Sequence, residues 1–288
     1  MKNGIILALK GILLMAIMFV GMAFSSLIIG VHASESSSNS LAPLLIYCIL
    51  NTIILMLFII KSKTRGLKLI GTTFIIYWGT QYFMTQIETL YFNGTIEMQL
   101  ADITRTVISG ALSAIIFSSL AVLVLGKFKQ KLISVNEENP IKLSFIKLLP
   151  NVTILAFSYA IIYFIFGYFV AWQFADLRYY YTGSTYIMNF FQQITNQFQS
   201  DPILLLFQVF RGFLWTGLAI IIIRSLGIKN WTTYIITGLL FSVLITTLLI
   251  FPNAYMPAPV RLGHSFELFT SMFLFGVLSV IILKNKLL

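Results

Sequence analysis

The sequence predicts an all-α fold, a polytopic transmembrane helical bundle of about eight spans, and three observations carry that prediction. Hydrophobic residues fill 58% of the 288 positions and charged residues only 10%, whereas soluble domains carry about 25% charge. With a mean hydropathy of +0.92, no water-soluble fold could cover so much apolar surface. Several uncharged stretches reach roughly 20 residues, the length that crosses a hydrocarbon core of about 30 Å. The charges between those stretches alternate in kind from one connection to the next.

The first apolar run, 11–31, follows Lys2 and Lys10. Val31-His32-Ala33 has the small-residue form of a signal cleavage site, but the run exceeds a typical signal core. An uncleaved first span is therefore expected, with a seven-span mature chain as the alternative and His32 as an outer-loop residue. The second run, 42–60, opens at Pro43 and holds the single cysteine, Cys48, so an intrachain disulfide and a CxxC pair are excluded. Further runs follow at 69–90, 103–125, 149–172, 203–223 (after Pro202), 231–251 and 260–283. Pro252, Pro257 and Pro259 make the last connection a rigid turn.

The formal charge of +10 resolves into two sets. Every lysine falls at the chain ends or in the connections 61–68, 126–148 and 224–230, which share one side. The positive-inside rule makes that side cytoplasmic, with both termini there and the bundle in the plasma membrane. The basic balance thus reports orientation and gives no sign of nucleic-acid binding. The basic residues assigned elsewhere, Arg105, Arg178, Arg211 and Arg261, are all arginine. Arginine stays protonated under burial and forks onto carboxylate or phosphate oxygens.

Two similarities point to a pair of parallel four-helix repeats: Pro43 corresponds to Pro202, and Arg105 to Arg261, at nearly equal separations. In the long connection 173–202, apolar Ile187, Phe190, Phe191, Ile194 and Phe198 recur at helical spacing among Asn and Gln. The segment 184–198 should form an amphipathic helix, capped by Thr182 or Ser184, lying on the outer leaflet or acting as a lid. Trp172, Tyr179, Tyr180, Tyr181 and Tyr186 beside it fit an interfacial aromatic belt.

Three spans carry polar stripes in their outer halves: Gln81, Thr85 and Glu88; Gln208, Arg211 and Trp215; Arg261, His264, Glu267 and Ser271. Arg211 and Glu267 lie on the order of 12–14 Å below their helix starts, where they could meet near the midplane. An ionisable group at that depth costs roughly 2.5–3.5 kcal/mol and should be paired. Arg211 with Glu267 is the expected pair, either locking two helices or lining a site. Glu88 and Arg261, nearer the surface, can reach water or lipid phosphate and need no partner.

No Walker A loop, HExxH, GxSxG or GxGxxG occurs, so no cofactor or metal is predicted. Three functions fit. The first is transport or lipid handling, with an outward-facing polar cavity in which Arg211 and Arg261 take an anionic group, Glu88, His264 and Glu267 act as counter-charges or proton carriers, and Gln81, Arg105 and Gln208 are further substrate-binding or polar-core candidates. The second is an intramembrane enzyme using His264, Glu88 and Glu267 on a lipid-linked substrate. The third is a non-catalytic subunit or sensor with a protein partner. Membrane lipid is a partner in all three.

Overall fold

The computed structural model describes residues 2–31, 41–129, 145–227, 231–253 and 255–287. His32 and the rest of loop 32–40, with Lys131, Lys142 and Lys229, lie outside the described residues. The helices are α1 (Lys2–Ile29), α2 (Leu41–Lys61), α3 (Gly66–Trp78), α4 (Met84–Tyr91), α5 (Asn93–Ile96), α6 (Leu100–Val124), α7 (Phe145–Phe169), α8 (Ala175–Thr182), α9 (Phe190–Ser200), α10 (Leu204–Leu226), α11 (Thr232–Thr246) and α12 (Ala258–Leu287). Among the described residues there is no strand. Seven helical segments among the described residues are long and apolar enough to cross a membrane: α1, α2, α6, α7, α10, α11 with its 3-10 extension to Ile250, and α12.

The run expected at 69–90 is helical without a break from Gly66 to Tyr91, about 39 Å of rise. It is divided because Gly79–Phe83 forms a π turn between α3 and α4. Gly79 opens that turn against α10: a Cβ there would stand 3.0 Å from Leu218. The inserted residue turns the helix relative to a straight α-helix, which matters for the polar stripe it carries.

Neighbour relations are the same in both halves of the chain. In the first, α1 packs on α2 and α6, and α3 on α6. In the second, α7 packs on α10 and α12, and α11 on α12. The halves join through α2 against α11 and α3 against α10, two contacts that exchange under the same correspondence. This is the neighbour pattern of a parallel repeat. Small residues allow the closest crossings, as expected where lipid supplies no hydrophobic drive between helices. A Cβ on Gly276 of α12 would stand 2.7 Å from the Gly238 Cα of α11, and one on Gly212 of α10 would stand 2.5 Å from the Ala156 carbonyl of α7.

At one end of the bundle the Lys63 N–H donates to the Ser225 carbonyl, and Lys127 Nζ to the Ser62 carbonyl. Burial and nearby Arg65 lower the Lys127 ammonium pKa. The opposite end carries α8 and α9. There the Tyr91 hydroxyl donates to the Asp201 carboxylate and the Tyr180 hydroxyl to the Tyr255 carbonyl.

The amphipathic helix starts later than expected, at Phe190, and its cap is Asn189, whose Oδ1 accepts the Gln192 N–H. Thr182 and Ser184 serve instead in the turn that ends α8: Gly183 takes φ +69°, and the Ser184 N–H donates to Thr182 Oγ1. The apolar face of α9 is partly engaged by α7, with Phe190 against Tyr168 and Phe169 and Phe198 against Phe164. Phe191 is 79% exposed on the other side.

Candidate functional site

The buried guanidinium lies between α4 and α10. Arg211 Nη1 donates to Glu88 Oε1 and Nη2 to Glu88 Oε2, each at 2.7 Å, a bidentate fork. Gln208, one turn away on α10, accepts a further Arg211 N–H through Oε1 at 3.0 Å. The rings of Tyr159 and Phe207 stand 5.6 and 5.7 Å from the guanidinium carbon. The Arg211 side chain is 1% exposed and that of Glu88 25%, so the pair opens on its carboxylate side.

This partner corrects the expected pairing of Arg211 with Glu267. Side chains on a helix lean toward its N-terminus. The N-terminus of α10 is at the α8–α9 end, so Arg211 reaches toward that end. The run containing Glu88 goes the other way, so Glu88 leans inward, and the two meet across the shared α3–α10 face. Depth counted along the helix axis alone omits this convergence. Glu267, on a helix running parallel to α10, leans outward one turn and bonds its own neighbour.

That neighbour is His264: its Nδ1 lies 2.9 Å from Glu267 Oε2, and its Nε2 lies 3.0 Å from the Tyr181 hydroxyl of α8. The Glu267 side chain is 8% exposed and that of His264 22%. Helix α7 borders both charge pairs, with the Tyr159 ring against the Arg211 guanidinium and Gly167 beside the Glu267 carboxylate. A Cβ on Gly167 would stand 3.7 Å from Glu267 Oε1, so α7 leaves room beside that carboxylate. Among the described residues, no three His, Cys, Asp or Glu side chains gather closely enough to hold a metal ion.

Other sequence candidates sit elsewhere. Gln81 is fully buried, but the π turn sends it away from Glu88. Its Nε2 donates to Thr247 Oγ1 at 2.7 Å, while its Oε1 accepts from Asn51 and the Tyr47 hydroxyl at 3.3 Å. Tyr77 and Tyr82 complete this network, each 2.8 Å from the Tyr47 hydroxyl. Thr85 bonds only carbonyls of its own helix, at Gln81 and Tyr82. Arg105 pairs with Asp102 at 3.2 Å on the surface. Arg261 donates to the Met256 carbonyl, holding the proline turn. Arg178 likewise ties Trp172 and Thr185 carbonyls across α8.

Sequence reasoning named Tyr181 only as a belt residue and did not single out Tyr159, Tyr163, Asn51 or Thr247. Asn51 had a readable signal, a lone amide in the middle of an apolar span. Tyr181 had none, since a hydroxyl at a helix end looks the same whether it meets water or a histidine. The fold and this cluster define a multi-pass α-helical membrane protein with ionisable groups buried toward one end. No family model matches the chain, and no curated protein or solved structure does.

Proposed function

We propose that the protein is a plasma-membrane transport or lipid-handling protein, with its lysine-rich end cytoplasmic, and that its charge cluster binds a cationic group or proton from the outer side. The observation behind this is the charge count of the two pairs: Glu88 is matched by the Arg211 guanidinium, while Glu267 has only the His264 imidazole beside it. Glu88, Glu267 and Arg211 sum to one net negative charge, which a proton on His264 would cancel. Arg211 already spends two nitrogens on Glu88, and Arg261 is engaged by the Met256 carbonyl. At Arg211 an anionic ligand would have to displace Glu88. A cation or proton would find the Glu267 carboxylate held against the partly exposed His264.

The test is a thermal-shift screen of the purified protein with amine-bearing, carboxylate-bearing and phosphate-bearing solutes and lipids. Amines should stabilise the protein, and carboxylate- or phosphate-bearing solutes should not. Glu267→Gln should remove that stabilisation while still giving a folded, monodisperse protein. Stabilisation by anions alone, or by no class, would overturn the proposal.

A second reading rests on the line Glu267, His264, Tyr181. An acid orienting an imidazole whose other nitrogen meets a hydroxyl is the arrangement that activates a nucleophile. An enzyme of this kind would lose turnover of a lipid-linked substrate in Tyr181→Phe. The cation-binding reading predicts that Tyr181→Phe keeps the amine response.

A further inference from the structure

A shallow groove on the surface of the bundle is lined by Ile29 of α1, Phe74 of α3, and Ile108, Ala111, Leu112 and Ile115 of α6, and its surface is wholly apolar. It faces the layer that the hydrophobic exterior requires to be lipid, so its lining does not distinguish it. What does is the residue directly above it. Residues 105, 108, 112 and 115 share one face of α6, their spacings being three, four and three. Arg105 is therefore one turn from the groove, toward the α6 N-terminus.

Arg105 stands five residues into α6, roughly 7–8 Å from the helix start, and its side chain leans back toward that end. This places a guanidinium at the level of lipid headgroups. The side chain is 44% exposed, and among the described residues its one ionic contact is a single-point bond of 3.2 Å to Asp102. The remaining guanidinium donors are available for the bidentate geometry that phosphate oxygens offer. Phe74 stacks on Trp78, whose Nε1–H donates to the Val107 carbonyl, fixing one wall of the groove against α6.

We propose that this face is a specific phospholipid site: one acyl chain lies in the groove between α1, α3 and α6, and the phosphate is held by Arg105. Charge complementarity selects the occupant, since an apolar channel one turn below an accessible arginine matches a phosphodiester joined to an acyl chain. The site is separate from the Glu88–Arg211 and His264–Glu267 cluster and does not depend on the function proposed for it.

The experiment is native mass spectrometry of the full chain in mild detergent, titrated with phosphatidylglycerol. Wild type should retain one lipid through activation that strips the others. Arg105→Gln should weaken retention about tenfold, the factor carried by one charge-assisted hydrogen bond. Ala111→Phe, which fills the groove, should abolish it, and Asp102→Asn should strengthen it by freeing Arg105. Unchanged retention in both Arg105→Gln and Ala111→Phe would overturn the proposal. So would competition by inorganic phosphate at the lipid's own potency, which would mark a phosphate contact without a chain. Thermal melts of each variant distinguish loss of the lipid from loss of the fold.

Discussion

Replacing Glu88 with alanine removes both oxygens of the fork from an arginine that is 1% exposed. What remains around the guanidinium is the Gln208 amide oxygen and the faces of Tyr159 and Phe207. Breaking a buried pair by deleting one partner costs about 3–5 kcal/mol, because the other charge stays desolvated. Coulomb's law gives a similar magnitude: unit charges about 4 Å apart at an effective dielectric constant near 20 interact by about 4 kcal/mol. At roughly 2–4 °C per kcal/mol for a chain approaching this size, the melting temperature should fall by about 6–20 °C. The assay is thermal unfolding of the purified protein in a fixed detergent, arranged as a double-mutant cycle with Arg211→Met. The double variant should be more stable than Glu88→Ala alone, since no orphan charge is left. If Glu88→Ala melts with wild type, or the coupling is below about 0.5 kcal/mol, the pair does not hold α4 to α10.

Two further outcomes follow from the packing. Gly276→Leu should lower the melting temperature more than any other single change between α11 and α12, because its side chain would meet the Gly238 backbone; Gly276→Ala should give a smaller fall in the same direction, and equal melts for both would refute the close crossing. Asn51→Leu removes a donor to Gln81 and the acceptor of the Thr247 hydroxyl. It should cost on the order of 1–3 kcal/mol, the penalty for buried polar groups left unpaired, and Asn51→Leu combined with Gln81→Leu should recover part of that loss in the same thermal assay.

Much of the architecture could be read from the sequence because lipid restricts a chain to very few solutions. A run of 20 apolar residues can only be a helix when its backbone has no water to bond, and Lys2 through Lys286 mark the turns between such runs. The third run shows the limit. Its apolar pattern was legible, but the π turn at Gly79 depends on the approach of Leu218 from α10, a tertiary contact with no local signature. The site was half legible for the same reason. Arg211, Glu88, His264 and Glu267 stood out as charges where charge is costly. Their pairing depended on the direction in which each helix runs, so Glu88 replaced Glu267 as the partner of Arg211. The four arginines, grouped by sequence as one set, separate into one ion pair inside the bundle, one surface pair and two backbone ties.

The fork between Glu88 and Arg211 joins positions 123 residues apart in the chain. Synthesis runs from the N-terminus, and the earlier segments are in place first. The carboxylate is thus already seated when the helix bearing the arginine leaves the ribosome. An arginine entering the bilayer laterally would then have its counter-charge among the segments made before it. The order of the two charges along the chain is itself part of how the protein is made.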